Sequence, residues 1–446
     1  MTSKPLSRSV RTMALLACVA LCLAGCPQPS GPPLVRSRLP IHVGSTAFPG
    51  QPDGTGGTNK PYVAVTVCVP NSNPQSCQTI DNIMIDTGSV GLRLFSQVVS
   101  VALPPAPGPP TFECEGFGAG YAWGQVVLAS LTLAQEPPVT VPIQLITPAP
   151  LPSGTPACNF NRDVLTPSGA GFNGILGLAP FANDTLSTKL SSDYLTCTAS
   201  GCTCAAGTAA CAGANGNPTL VPNPIFQVPV ASNATKADSN GVIIDLSGVS
   251  GNGNGATGVV GSLFLGIGTN SPWNDPTYLT VENNLTLTNK CPHPNCQTPI
   301  TTIVGTNYIV QTVFNGAQYS GPVDTGSNAY YFPDGSLPVC SAPQNFYYCL
   351  ATPTILSATV LSSSGSSSAV QFWVANGSTS INSGNSAFSN LGGSFGPLFF
   401  DWGLPFFYDR FVYIVYASAT GNDGTISIQW QPPLWAYSFC PNDHCP

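Results

Sequence analysis

One tetrapeptide occurs twice in this 446-residue chain, as Asp86-Thr87-Gly88-Ser89 and as Asp324-Thr325-Gly326-Ser327. Each copy follows strand-like sequence. Pro61–Val69 alternates apolar and polar residues, a turn-rich stretch follows, and Thr79–Ile85 leads into the first copy. Tyr308–Phe314 reads as a strand, Asn315-Gly316 as a tight hairpin turn, and Ala317–Val323 leads into the second copy. A second element recurs behind each. Gly174-Ile175-Leu176-Gly177-Leu178-Ala179-Pro180-Phe181 follows the first Asp, and Asp401-Trp402-Gly403-Leu404-Pro405-Phe406-Phe407 follows the second. Two similar units in the same order make an internal duplication the simplest account. The length is enough for two lobes with their own cores.

Composition points to β structure. Gly (46) and Pro (45) are abundant, and helices tolerate neither in their interiors, so short strands joined by turns are expected. Only 7% of residues are charged against 43% hydrophobic, which favours collapse over disorder. Met13–Ala20 and the residues to Leu23 form an apolar run after Lys4, Arg8 and Arg11, as in an export leader. Without those three the chain carries 9 basic and 19 acidic residues, a net charge of −10 that argues against nucleic acid as a partner. Leu23-Ala24-Gly25-Cys26 resembles the lipobox of bacterial lipoproteins, which implies cleavage before Cys26 and a lipid on its sulfur. No other stretch is long and apolar enough to span a membrane. Residues 27 to about 58 read as a Pro/Gly/Ser-rich tether.

Of 17 cysteines, 14 remain after Cys18 and Cys22 leave with the leader and Cys26 is acylated. An even number in an exported chain argues for disulfides, and Cys68/Cys77, Cys291/Cys296, Cys340/Cys349 and Cys440/Cys445 are the expected pairs. Connectivity among Cys114, Cys158, Cys197, Cys202, Cys204 and Cys211 stays open, with Tyr194–Pro218 read as a cross-linked surface loop. His293 and His444 each stand beside a cysteine pair, but neither cluster offers four ligands at zinc-site spacing, so no metal is expected.

The chemistry lies in the repeated tetrapeptide. A strand delivers each Asp, the Gly admits close backbone, and the Thr and Ser hydroxyls can donate to neighbouring carboxyls. Two such loops face to face would bring Asp86 and Asp324 together. Like charges that close cannot both ionise, so the pair holds one proton and can act as acid and base at once. With three His and no Gly-x-Ser-x-Gly elbow, a serine hydrolase is a poorer fit. Neither a P-loop nor a dinucleotide fingerprint is present. Glycoside hydrolysis also uses paired carboxylates, but does not call for two symmetric loops.

On these motifs the chain after residue 60 resembles the pepsin-like aspartic peptidases. Ile83–Ser89 matches their first active-site strand and loop, Phe172–Leu178 the strand behind it, Gly261–Gly266 the strand closing the first lobe, Val323–Ser327 the second loop, and Trp402-Gly403-Leu404 with Phe406-Phe407 its backing strand. The lipobox, the cysteines and Phe400–Phe407 also resemble a group of uncharacterised bacterial exported proteins. The resemblance implies an all-β, bilobed pepsin-like fold. Residues 1–25 would be leader, 26–58 tether, 59–272 a lobe carrying Asp86 and 273–446 a lobe carrying Asp324. It further implies a peptide or protein substrate, no cofactor, a monomer, and a lipid anchor in the cell envelope at the outer membrane.

The family's flap hairpin carries a Tyr before Gly-x-Gly, hydrogen-bonded to a Trp after the first loop. Here Phe117, Gly118 and Gly120 stand in the first place and Arg93 in the second, so residues 112–125 are expected as a hairpin held by packing of Phe117 and Trp123. Tyr121 and Trp123 are candidates for the missing donor, and Arg93 for stacking on a hairpin ring. The altered flap leaves a second reading, a non-catalytic lipoprotein that binds a peptide, glycan or protein through the same fold.

Overall fold

The computed structural model describes residues 37–44, 57–118, 120–148, 166–184, 193–198, 201–204, 220–228, 238–246, 248–266, 279–282, 286–289, 301–304, 309–361, 367–394, 396–416 and 434–439. Among them the α-helices are two single turns, α1 (Pro167–Ala170) and α2 (Gly377–Ile381). The rest is β structure, loops and short 3-10 turns at Ser96–Val98, Pro224–Gln227 and Leu404–Phe407, in keeping with the Gly and Pro content.

The chain runs through β1 (Arg38–Val43), β2 (Pro61–Cys68), β3 (Cys77–Asp86), β4 (Val90–Phe95), β5 (Thr111–Phe117) and β6 (Gly120–Thr132). Next come β7 (Val139–Ile146), β8 (Gly174–Leu178), β9 (Asp193–Thr198), β10 (Gly201–Cys204), β11 (Gly241–Leu246) and β12 (Val259–Leu265). The second half adds β13 (Leu279–Glu282), β14 (Thr286–Asn289), β15 (Thr301–Val304), β16 (Val310–Phe314), β17 (Ala317–Gly321) and β18 (Tyr330–Tyr331). It closes with β19 (Cys349–Leu361), β20 (Ser367–Asn376), β21 (Gly392–Gly393), β22 (Asp401–Trp402), β23 (Arg410–Val415) and β24 (Leu434–Phe439).

One large sheet has the order β10-β9-β5-β6-β7-β4-β8-β3-β2-β1-β12-β11-β23-β24-β15. Strands β17-β16-β19-β20 form a second sheet and β21-β18-β22 a third. The hairpin turn between β16 and β17 is Asn315-Gly316, with φ of 50° and 79°, the left-handed pair that a two-residue hairpin demands.

The two tetrapeptides are backed alike. β3 runs parallel to β8, with Ile85 opposite Leu176 and Asp86 opposite Gly177, and β8 returns antiparallel to β4. In the second half Val323 bridges Trp402 in parallel, and Tyr330 pairs with Trp402 antiparallel. Apolar side chains fill the space behind both loops. Ile83, Ile85, Leu92, Leu176 and Leu178 are fully buried in the first half, and Phe332, Phe400 and Trp402 in the second. The Trp402 indole meets its polar requirement by donating to the Thr312 hydroxyl at 2.9 Å.

Asn59 ties the start of this structure to its far end. It is buried with φ of 49°, a conformation Asn tolerates better than most residues. Its amide donates to the carbonyls of Asn328 and Phe388, both at 2.8 Å. Its oxygen accepts from the Phe388 N–H at 2.7 Å and the Tyr408 hydroxyl at 2.8 Å.

Cys68–Cys77 and Cys340–Cys349 are disulfides, as expected from their spacing, and Cys197–Cys202 is a third. The pairs Cys291/Cys296 and Cys440/Cys445 lie outside the described residues, as do the leader, Cys26 and the boundary near residue 272. Two expectations are corrected. Residues 38–43 are not tether but strand β1, which pairs with β12 and β2; Leu39, Ile41 and Val43 point inward, and that alternation outweighs the flanking Pro and Gly. Likewise 194–204 is not surface loop throughout, because β9 and β10 form a hairpin that extends the large sheet from β5 and buries Tyr194 and Leu195.

Asp245 on β11 shows what burying an acid costs here. It is 7% exposed, and burial, partly offset by Arg38, raises its carboxyl to about 7. An acid whose folded pKa is raised binds protons more tightly in the native state, so stability falls as pH rises between its unfolded value and about 7. Asp245→Asn is expected to remove that slope and to raise stability at pH 8 by up to about 4 kcal/mol. Chemical unfolding of both proteins at pH 5 and pH 8 reads the difference directly.

Candidate active site

Strand β3 ends on Asp86, the chain after β17 reaches Asp324 through Val323, which bridges Trp402, and the two following loops interlock. The Thr87 N–H donates to the Thr325 hydroxyl oxygen at 3.0 Å, and the Thr325 N–H donates to the Thr87 hydroxyl oxygen at 2.9 Å. Each hydroxyl in turn donates across the junction at 2.8 Å, Thr87 to the Val323 carbonyl and Thr325 to that of Ile85. Both threonines are fully buried, so these four bonds contribute about 0.5–1.5 kcal/mol each and would be costly to leave unmade. The threonines therefore clamp loop to loop and do not touch the carboxyls, contrary to the expectation that all hydroxyls of the motif would.

The serines and glycines hold the carboxyls. Asp86 accepts from the Gly88 N–H at 2.8 Å through Oδ1 and from the Ser89 hydroxyl at 2.6 Å through Oδ2. Asp324 accepts from the Gly326 N–H at 2.8 Å through Oδ1 and from the Ser327 hydroxyl at 2.8 Å through Oδ2. The Asp86 and Asp324 carboxyls lie beside each other against Gly326. A Cβ on Gly326 would fall 2.5 Å from Asp86 Oδ1 and 3.1 Å from Asp324 Oδ1, so only glycine lets the carboxyls approach. Burial pushes the Asp324 carboxyl well above the usual carboxylate range, and the negative charges of Asp86 and Asp401 add to the effect.

Residues 112–125 form the expected hairpin, β5 against β6, with Phe117 opposite Gly120 at its end. Its register separates residues that sequence reasoning grouped. Glu113, Glu115 and Phe117 lie on one face, while Phe112, Cys114, Tyr121 and Trp123 lie on the other. Trp123 stacks on Phe112 with centroids 5.4 Å apart, and Phe117 packs instead beside Tyr62, Met84 and Phe172. Tyr121 and Trp123 thus cannot stand in for a donor on the Phe117 face. The Arg93 guanidinium carbon lies 5.9 Å from the Phe117 ring centroid, so it does sit over a hairpin ring.

Arg93 has a larger role that the sequence did not reveal. It is fully buried, donates to Glu113, Asp184 and the Val90 carbonyl, and so fastens β4 to the hairpin strand β5. Burial works against its charge, but Glu113 and Asp184 outweigh that and raise its pKa. Burial, then the charge of Glu113, raises the Asp184 carboxyl, which also accepts from the Tyr194 hydroxyl at 2.6 Å. Ligand oxygens of Glu113, Glu115 and Asp184 lie within 4.8 Å of one another, an arrangement that could hold a cation, but Arg93 already supplies the counter-charge.

Removing one member of such a buried network strands the others. Arg93→Met is expected to destabilise the protein by about 3–5 kcal/mol at neutral pH. The triple change Arg93→Met, Glu113→Leu and Asp184→Asn should recover much of that loss, since the two acids bonded to Arg93 lose their charge with it. Denaturant midpoints of the three proteins test both statements.

Comparison with known proteins adds the following. No curated protein matches the chain. Among solved structures, the aspartic proteinase from Irpex lacteus is similar over 92% of this chain and 98% of its own, with 14% sequence identity and a TM-score of 0.44. Residues 40–437 match the family described as "Protein of unknown function (DUF3443)", and the chain therefore belongs to that family.

Proposed function

We propose that the protein is an aspartic endopeptidase whose two halves form two lobes meeting at Asp86 and Asp324. One observation carries this reading: two carboxyls from loops far apart in sequence lie side by side against Gly326, each held by the same pair of donors. Sharing one proton, the pair contains a base and an acid at once. Water bound between them gives a proton to the ionised carboxylate as its oxygen bonds to the scissile carbonyl carbon. The protonated carboxyl donates to the developing oxyanion. The tetrahedral intermediate then collapses: the C–N bond breaks as the leaving nitrogen takes a proton from one carboxyl and a hydroxyl of the intermediate returns one to the other, which gives a carboxylic acid and an amine and restores the shared proton. No metal or cofactor is needed for these steps.

The hairpin β5–β6 would serve as the lid, with Phe117 shielding the reacting atoms from water. Held by packing and by Arg93 rather than by a phenol–indole bond, such a lid closes less firmly, and slower turnover is the expected consequence. We place the enzyme as a monomer in the cell envelope, tethered through lipid on Cys26, acting on peptide or protein substrates. Membrane partitioning that persists unchanged in Cys26→Ser would contradict the anchor.

For the dyad, the purified domain should cleave an unstructured protein substrate. Asp86→Asn and Asp324→Asn should each lower turnover by roughly a thousandfold or more while leaving the melting temperature near that of the parent. Full cleavage by either variant would remove the peptidase reading.

A further inference from the structure

The two Asp-Thr-Gly-Ser loops continue alike past their serines, and each serine carbonyl is held by the segment behind it. The Ala179 N–H donates to the Ser89 carbonyl at 2.8 Å, and the Leu404 N–H to the Ser327 carbonyl at 2.7 Å. The next carbonyls belong to Val90 and Asn328, and here the halves part. Arg93, three residues on from Val90, donates to the Val90 carbonyl from within its own strand. Three residues on from Asn328 stands Tyr331, whose hydroxyl donates to the Asn328 side chain at 2.7 Å. The Asn328 amide in turn donates to the Tyr347 hydroxyl at 2.8 Å. The Asn328 carbonyl is taken instead by the Asn59 amide at 2.8 Å, from 269 residues away.

Asn59 is fully buried, and its amide donates without bringing a further charge to a loop that already holds an acid. Its other bonds, two to Phe388 and one to the Tyr408 hydroxyl, engage its second donor and its oxygen. The side chain cannot turn without breaking all four. With the carbonyls of residues 327 and 328 both fixed, the two peptide planes after Ser327 cannot rotate. The Ser327 hydroxyl then keeps its direction toward Asp324 Oδ2, which it meets at 2.8 Å.

We propose that Asn59 is a positioning residue of the Asp324 loop, supplying from the other half of the chain the carbonyl-holding donor that Arg93 supplies to the Asp86 loop from within its own strand. The kinetic consequence rests on the peptidase reading; the hold on the loop does not. Two loops with the same sequence and the same bonds to their carboxyls thus rest on unlike supports, a local guanidinium on one side and a distant amide on the other.

Hydrogen exchange of the whole protein, read by mass spectrometry, tests the hold. In Asn59→Gly, which accepts the φ of 49°, the amides of 325–331 should exchange about tenfold faster, the effect of a buried carbonyl left without its donor, with 87–93 unchanged. Tyr408→Phe removes a different bond to the same side chain and leaves the one to Asn328 in place. It should lower the melting temperature while 325–331 exchanges at the parental rate. In peptide cleavage Asn59→Gly should lower kcat about tenfold at unchanged KM, and Tyr408→Phe should keep the parental kcat. If Asn59→Gly does not fold, Asn59→Ser, which lacks the amide, takes its place with the same expectations. Parental exchange of 325–331 in the folded Asn59 variant, acceleration confined to 386–390, or equal acceleration of both loops overturns the proposal. So does a kcat loss in Tyr408→Phe as large as that in the Asn59 variant. If the parent protein cleaves no peptide, the peptidase reading falls alone, and the exchange rates still decide whether Asn59 holds the Asp324 loop.

Discussion

Everything at the centre of this molecule depends on the reciprocal bonding of Thr87 and Thr325. Each threonine's hydroxyl oxygen is the acceptor for the other's backbone N–H, and each hydroxyl hydrogen goes to the strand that carries the opposite aspartate. Neither loop can satisfy its buried groups without the other, so the two tetrapeptides are mutually defining. The carboxyls meet as a result of that clamp. Gly326 then matters because the clamp brings it against Asp86, and the serines matter because they are the hydroxyls left to serve the carboxyls.

Around this symmetric centre the two halves differ at the positions behind the loops. In the first half Arg93 pairs across strands with Ile175, and in the second Tyr331 pairs with Asp401. The duplication thus placed a charged residue once on each side, but at opposite members of the pair. Arg93 is neutralised by Glu113 and Asp184 and works on the hairpin, whereas Asp401 is buried with Oδ1 lacking a hydrogen bond among the described residues.

The sequence carried the centre because its signals are local. A strand running into Asp-Thr-Gly-Ser, the Asn315-Gly316 turn and the short cysteine spacings each lie within a few residues, and the structure has β3, the β16–β17 hairpin and the Cys68–Cys77 and Cys340–Cys349 bonds there. What stayed hidden is long-range. Arg93 finds Glu113 and Asp184 from 20 and 91 residues away, and Asn59 bonds to Phe388 and Tyr408 across more than three hundred. No periodicity marks such partners. The burial of Asp401 is equally long-range, since it follows from pairing with Tyr331 seventy residues earlier. The hairpin of Tyr121 and Trp123 was foreseen as a unit, yet the face each ring takes follows from a register that alternation alone did not fix.

The central claim is that Asp86 and Asp324 act together as one acid–base pair. Neutron diffraction from a deuterated crystal near neutral pH tests it most directly, because it locates the hydrogens. A single deuterium between the two carboxyls, with those of Ser89 and Ser327 directed at their outer oxygens, is the result predicted here. Two bare carboxylates turned away from each other, or two separately protonated acids, would contradict it.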